Sequence, residues 1–261
     1  MLSLAAPGFL KNYTGYIREI LTYSSYLFRP KRNPRTKFVI FTVGRTGSNL
    51  LVSLLNNNRI IHCHSELLIK RVVFPKLYLK CQERLARKEV YGFKVLLYNF
   101  GVQDIQDPLD ILGDLYRDGY KIISLKRRNI LRQVVSHMYA VHRSKFHLNK
   151  GQAEPNLNRM RIDSKYLHSE LEFFLDYRLH EEQILTNFSY LQLYYEDDLL
   201  DERCHQQAVD KVADYLGIPT AIGTTKLAKT TPQDLYNIIE NYDEFKMLVE
   251  NTGYSQYLDA V

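Results

Sequence analysis

The sequence contains no tryptophan, only three cysteines, and no apolar run long enough to span a lipid bilayer. The odd number and wide spacing of Cys63, Cys81 and Cys204 suit neither a disulfide framework nor a set of metal ligands, and reduced thiols are the better interpretation. Long blocks of like charge are also absent, so no nucleic-acid partner is indicated. Because the first ten residues lack the basic start of a signal peptide, we expect a cytoplasmic protein.

The composition suits one large α/β domain. The 261 residues are enough for a sizeable core but too few for two comfortable domains. Hydrophobic residues make up 45% and charged residues 25%, which is average for a globular protein and excludes wholesale disorder. The net charge of +6 suits an anionic ligand or surface. We expect a helical and basic N-terminal segment at 1–36, followed by the main domain at 37–261.

A strand, a glycine turn and a helix follow one another within residues 37–66. The β-branched and aromatic run at 38–43 predicts the strand, and leucines recur at helical spacing from position 50. Glycines let backbone N–H groups approach an anion, and the helix N-terminus adds unpaired donors and a positive dipole end. The turn predicts a phosphate or sulfate cradle, with a plain turn as the alternative, and the candidate ligands are Gly44, Arg45, Thr46, Gly47, Ser48 and Asn49.

This glycine loop (residues 44–49) is not the nucleoside-triphosphate type. Only two residues separate Gly44 from Gly47, and no Lys-Ser/Thr pair follows, so the magnesium-binding half of that motif is missing. The spacing resembles the 5′-phosphosulfate loop of sulfotransferases that use 3′-phosphoadenosine-5′-phosphosulfate (PAPS). It is most similar to the form found in bacterial sugar and lipopolysaccharide sulfotransferases, in which an arginine stands where many cytosolic members have lysine.

A second motif follows the strand predicted at 120–125. Arg128-Asn129 at the strand end and Val135-Ser136 in the next helix resemble the family's 3′-phosphate motif, in which a serine stands eight residues after an arginine. A planar guanidinium and a hydroxyl at fixed distance suit a dianionic phosphate. Arg132, one turn before Ser136, is a candidate helper. The alternative is a basic helix start with solvated arginines.

Strands and helices alternate along the chain, which predicts a mostly parallel sheet. Further strands are expected at 59–63, 90–97 and 190–195. Helices are expected at 67–88 (interrupted by Pro75), 108–118, 165–186 and 206–216, and a last helix is expected to begin near Pro232. Residues 142–164 are expected to form a long loop. The resemblance implies a single-domain, P-loop-like, three-layer α/β fold with a central, mostly parallel sheet flanked by helices.

A general base is expected shortly after the second strand, where His62, His64, Ser65 and Glu66 occur. In similar sugar sulfotransferases a glutamate at this place is the proposed base, which favours Glu66 over His64. Many cytosolic members use a histidine after the third strand instead, and this chain has Tyr98 and no histidine there. The alternatives are a histidine base, and a Glu66 that only stabilises a helix N-terminus.

The resemblance implies in-line transfer of a sulfuryl group from PAPS to a hydroxyl of a sugar or glycolipid, with adenosine 3′,5′-bisphosphate (PAP) as product and no metal. Arg45 and the loop amides would offset the charge on the leaving phosphate. The family commonly returns a basic loop to the nucleotide, and Lys226 or Lys229 would serve. A nucleotide kinase and a non-catalytic nucleotide-binding protein are the competing classes.

The N-terminal segment has two open interpretations. Residues 10–28 are weakly amphipathic and precede the basic run Arg29-Pro30-Lys31-Arg32. Such a helix either packs on the back of the domain or touches a membrane surface, which would make the protein peripheral to a membrane.

Overall fold

The computed structural model describes residues 10–143, 159–227, 231–232 and 234–258, and within them five strands form one parallel sheet. The strands are β1 (Thr36–Thr42), β2 (Ile61–Glu66), β3 (Val90–Leu96), β4 (Tyr120–Lys126) and β5 (Tyr190–Tyr194). The α-helices are α1 (Leu10–Phe28), α2 (Ser48–Asn56), α3 (Pro75–Arg84), α4 (Leu97–Val102), α5 (Leu109–Arg117), α6 (Ile130–His142), α7 (Ser164–Leu185), α8 (His205–Leu216) and α9 (Tyr242–Asn251).

The strand order β2-β3-β1-β4-β5 puts β1 at the centre. Because β1 is covered on both faces, its apolar run at 38–41 is wholly buried. The chain adds β3 on one side of β1 and β4 on the other, so the topological switch point lies at β1. Ligands of open α/β sheets bind in the crevice outside the strand ends at such a point. The glycine loop begins immediately after β1 and therefore occupies this crevice.

Helices cover both faces of the sheet, which confirms the expected three-layer α/β fold. On one face α2 and α8 pack against Phe38, Ile40 and Ile123. On the other, α3 and α5 pack against Val39, Phe41 and further inward residues of β3 and β4. A third cluster joins α6, α7 and α9. All five predicted strands are present, and strand β2 extends to Glu66, three residues beyond its predicted end.

The helix predicted over 67–88 is wrong in its first half, because α3 begins only at Pro75. Distant side chains bind the backbone of the preceding segment instead. Gln103 Nε2 donates to the carbonyls of Leu68 and Lys70, and Glu19 accepts from the amides of Val73 and Phe74. These bonds provide partners for backbone N–H and C=O groups that would be paired with one another in a helix. Glu66 therefore ends a strand and does not begin a helix, which removes the dipole explanation for it.

The last helix was also misplaced. A short 3-10 turn, Leu235–Asn237, stands near the predicted start, and α9 begins only at Tyr242. The short α4 was not predicted. Most of the expected loop at 142–164 lies outside the described residues, although α6 ends within it at His142 and α7 begins at Ser164, where the Asp163 side chain caps the helix by accepting from the Tyr166 amide.

Candidate active site

The glycine loop is held in its turn by unusual dihedrals and by bonds to the sheet. Arg45 and Gly47 have φ of 65° and 83°, and a Cβ on Gly47 would lie 2.6 Å from the Tyr195 ring, so this ring requires glycine. The Thr46 hydroxyl, expected as a ligand, points inward and lies 2.8 Å from that of Thr42. Gln133 of α6 donates to the Gly44 carbonyl at 2.6 Å. The loop is thus preorganised, and Thr46 is left with its backbone amide as a ligand.

Arg45 connects the two sequence motifs. Its Nε and Nη2 donate to the Ser136 hydroxyl of α6 at 3.1 and 2.9 Å, across 91 residues of chain. The hydroxyls of Ser136 and Thr231 lie 2.9 Å apart, so the C-terminal part of the chain returns to the same place. The fold therefore brings the expected 5′ and 3′ motifs into direct contact at the carboxyl edge of the sheet.

Three arginines, which we call the arginine cluster, lie around this contact: Arg45, Arg127 and Arg132. Burial lowers the pKa of Arg45 to about 10, and the positive charge of Arg127 is the second cause. Burial likewise lowers the pKa of Arg127, and the charge of Arg132 adds to this effect. Like charges held together away from water are unfavourable, and a bound anion would offset them. The cluster has the electrostatics of a site for a highly charged anion.

Arg127 lies between β4 and α6 with its side chain only 14% exposed. Its guanidinium lies 4.7 Å from the centre of the Tyr195 ring, and its Nε is buried without a hydrogen-bond partner among the described residues. The nearest carboxylate oxygen, on Glu196, is 4.0 Å from that Nε, and Glu196 also accepts from the amides of Arg128 and Asn129. Arg127 thus retains donor capacity at the edge of the glycine loop.

Arg128 lies elsewhere than the sequence motif predicts. Its guanidinium makes a bidentate pair with Asp197, at 2.5 and 2.6 Å, and stacks 3.9 Å from the centre of the Tyr194 ring. The side chain is half exposed, whereas Ser136 is bound by Arg45. Consecutive residues leaving a strand point in opposite directions, so only one of the two arginines faces the loop. Of the two, Arg127 is the residue whose guanidinium reaches the glycine loop, at the Arg45 carbonyl.

Glu66 belongs to a buried polar chain that reaches the glycine loop. Its Oε1 lies 2.9 Å from the ammonium of Lys94, and its Oε2 accepts from the Tyr98 hydroxyl at 2.8 Å. Lys94 also donates to the Asn49 side chain in the first turn of α2. Lys94 is 1% exposed; burial lowers its pKa, and the carboxylate of Glu66 opposes that effect. The carboxylate thus stands, 11% exposed, beside the loop.

His64 does not reach this site. It lies on β2 with its ring 4.3 Å from that of His62 and 5.8 Å from that of Tyr91, on the face covered by α3. Both histidines line a cavity beneath α1. The irregularity in the β2–β3 pairing between His64 and Glu66 turns Glu66 towards α2 instead. Burial lowers the pKa of His64 to about 4, so this residue is also a weak base. Glu66 alone remains as the candidate.

Two residues of the site escaped the sequence analysis, and each carried a local signal. Lys94 is the one charged residue in the strand VYGFKVL, all of which is buried. Arg127 precedes Arg128 in a row of three cations. Lys229 lies outside the described residues, so its expected nucleotide contact stays a prediction. No cluster of three His, Cys, Asp or Glu side chains suits a metal ion within the described residues, and no helix there could cross a membrane.

Comparison with known proteins gives a likeness in structure only. No protein-family model and no curated protein matches the sequence. A sulfotransferase from Alicyclobacillus acidocaldarius is 13% identical, with 88% of this chain and 95% of that chain covered and a TM-score of 0.49. Mouse sulfotransferase SULT7A1 complexed with PAP is 13% identical, with 90% of this chain and 87% of that chain covered and a TM-score of 0.49. Sulfotransferase STF9 from Mycobacterium avium is 8% identical, with 93% of this chain and 80% of that chain covered and a TM-score of 0.47. Since these values are low, function has to be inferred from the site.

Proposed function

We propose that the protein is a PAPS-dependent sulfotransferase that transfers a sulfuryl group to a hydroxyl of a sugar or glycolipid. The observation that carries the proposal is the pair of hydrogen bonds from Arg45 to Ser136. They join a glycine loop of phosphosulfate type to the serine of a 3′-phosphate motif. A ligand with phosphate at both its 5′ and 3′ positions fits this arrangement better than one with a single phosphate group.

The arginine cluster and the loop amides would bind the nucleotide. Arg45, on the loop, would follow the 5′-phosphate and the bridging oxygen, while Arg127 and Ser136 would hold the 3′-phosphate by bidentate and hydroxyl donors. Bound PAPS supplies the sulfuryl group, whose bond to the 5′-phosphate oxygen breaks as the acceptor oxygen attacks sulfur. Preorganised donors aimed at the leaving phosphate stabilise the charge that develops there.

Glu66 would take the proton of the acceptor hydroxyl. Lys94 is a positioning residue, because its ammonium bridges the carboxylate and Asn49 and so fixes Glu66 relative to α2. The Tyr98 hydroxyl, now bonded to the other carboxylate oxygen, marks a position from which a hydroxyl can donate to Glu66.

The acceptor class follows from the resemblance in the glycine loop to sugar and lipopolysaccharide sulfotransferases. A glycolipid acceptor would bring the protein to a lipid surface, which agrees with one of the two interpretations of the N-terminal segment. The reaction as written needs no metal, because the arginines and amides carry the positive charge.

Binding of PAP is the direct test of the proposal. PAP should bind at least about 30-fold more tightly than AMP, because loss of the 3′-phosphate leaves buried guanidinium donors without their anion. Isothermal titration calorimetry of the full chain with the two nucleotides, in the absence of magnesium, measures the ratio. Equal affinities would contradict the assignment, and tight magnesium-dependent binding of ATP would indicate a kinase. Tight PAP binding without turnover of PAPS on any hydroxyl acceptor would indicate a non-catalytic binding protein.

Adjacent arginines provide a matched pair of variants. Arg127→Ala should weaken PAP binding by about tenfold to a hundredfold, since a hydrogen bond to a charged group contributes about 1.5–3 kcal/mol. Arg128→Ala should change PAP affinity less than about threefold, because its half-exposed pair with Asp197 lies at the surface. Titrations of both variants with PAP measure this difference. The reverse ranking would return the 3′-phosphate role to Arg128.

A further inference from the structure

The outward face of α1 is apolar, which is the reverse of an ordinary surface helix. Positions exposed to solvent recur every three or four residues, and the large apolar ones are Ile17, Ile20, Leu21, Leu27 and Phe28, with 56 to 86% of each exposed. A helix on a globular protein normally turns such a stripe towards the core. Here the stripe, which we call the outer face of α1, stays exposed, although Ile17 and Leu21 also lie at the edge of a cavity beside the helix.

The inward face explains why the helix lies this way round. Glu19 is 3% exposed and accepts hydrogen bonds from the amides of Val73 and Phe74 at 2.7 and 3.0 Å. Thr22 accepts from Gln82 at 2.9 Å. Rolling the helix over to bury its apolar stripe would leave the Glu19 carboxylate and two backbone amides without these partners, which is costly. The outward orientation of the apolar face is therefore built into the fold.

The segment that Glu19 binds also exposes large apolar side chains. Ile69, Val73, Phe74 and Leu77 are each 45 to 59% exposed. Together with the outer face of α1 they account for nine of the nineteen exposed large hydrophobic residues in the described part of the chain. Such a concentration of exposed apolar side chains in one part of a protein indicates a site of contact with another protein or with lipid.

Cations lie along α1 and directly after it. Residues 10–32 contain five lysines or arginines and a single acidic residue, the buried Glu19. A cavity of about 470 Å³ opens beneath α1, and Arg18, Arg29 and Arg87 line it together with the apolar Ile17 and Leu21. Arginine guanidinium groups bind phosphate oxygens well, and the apolar side chains beside them can contact the part of a lipid acyl chain nearest its headgroup.

We propose that the outer face of α1 and the segment at 69–77 dock the protein on an anionic lipid surface, with Arg18, Arg29 and Arg87 at the headgroup phosphates. A second copy of the chain fits less well, because a symmetric contact through this face would bring the two sets of cations together. Residues 1–9 contain no acidic side chain that would match those cations either. Anionic lipid satisfies the apolar and the charged parts at once.

Co-sedimentation of the full-length protein with vesicles tests this docking. Vesicles of phosphatidylcholine with phosphatidylglycerol should bind it, and phosphatidylcholine alone should bind it much more weakly. Ile20→Glu/Leu27→Glu should lower binding by at least about tenfold, since each change removes an apolar side chain from the contact. The control Leu179→Glu/Met247→Glu alters two residues of similar exposure on α7 and α9, 58 and 63%, and should bind as the unaltered protein does.

The contribution of the arginines to docking is tested separately. Arg29→Ala should weaken binding to the anionic vesicles by about fivefold, and added salt should weaken it further. Free inorganic phosphate at millimolar concentration should not release the protein, whereas release would place a soluble anion in the cavity and overturn the proposal. The proposal would also be overturned if the protein did not bind vesicles or bound both types equally. It would be overturned as well if sedimentation showed a dimer that Ile20→Glu/Leu27→Glu dissociates. None of these outcomes bears on PAP binding, so the proposed catalytic function is tested separately.

Discussion

Glu66→Gln is expected to lower kcat by roughly 10²- to 10⁴-fold, the contribution of a positioned general base, while PAP affinity stays unchanged. Glutamine keeps the size of the side chain, and its carbonyl oxygen still accepts from Lys94, but it does not take a proton from an acceptor hydroxyl. Initial rates of sulfuryl transfer, with PAP titrations on the same preparation, separate the two effects.

Folding of this variant needs a control, because Lys94 is 1% exposed and loses its counter-charge. Unchanged PAP binding and a cooperative thermal transition would show that the domain is intact. His64→Asn is the matched comparison on the same strand. It alters a side chain on the opposite face of the sheet and should leave kcat within about threefold of the unaltered value, as expected of a change away from the reacting groups. If Glu66→Gln stayed active while His64→Asn lost turnover, Glu66 would not be the base.

Arg45→Ala is expected to reduce kcat/KM by roughly a hundredfold or more, the effect typical of a lost donor to a developing oxyanion. The same change removes one positive charge from the arginine cluster, so mutual repulsion with Arg127 falls. We therefore expect the Tm of the ligand-free protein to be unchanged or higher. Steady-state kinetics with varied PAPS and thermal unfolding without ligand provide the two measurements.

Arg45→Lys separates charge from geometry. Lysine keeps the positive charge, but it lacks the planar fork with which Arg45 binds Ser136. Activity between that of Arg45→Ala and the unaltered protein is the expected result. Nearly full activity in Arg45→Ala would mean that the loop amides act alone, and the electrostatic part of the mechanism would be wrong.

Residues close together in the chain account for what was predicted correctly. The strand at 38–43 and the leucine spacing after it identify a strand, turn and helix, and Gly47 has the positive φ that such a turn requires. Ser136 was named from the resemblance to the family's 3′-phosphate motif, eight residues after Arg128, and its hydroxyl accepts from Arg45 of the loop. The strand, turn and helix depend on dihedral preferences and on periodicity, which operate over a few residues.

The positions of Arg127 and Arg128, and the start of α3, depend on contacts between residues far apart in the chain. Arg127 and Arg128 have the same chemistry and adjacent positions, and only the packing of Tyr195 and the Asp197 carboxylate decides which one faces the loop. The helix expected before Pro75 is absent because side chains as distant as Gln103 and Glu19 bind its backbone. No local preference contains such information.

The sequence by itself therefore determined the kind of fold, the position of a glycine turn between the first strand and the next helix, and the residue types in that turn. Tertiary structure alone decided which of those residues meet. Arg45 contacts Ser136 across 91 residues, and Lys94 joins Glu66 to Asn49, because β1 lies between β3 and β4 in the sheet. Strand order arises from long-range packing, so contacts that depend on it have no signature in neighbouring residues. The exposure of the apolar face of α1 has the same origin, since the backbone amides that the buried Glu19 binds lie more than fifty residues away.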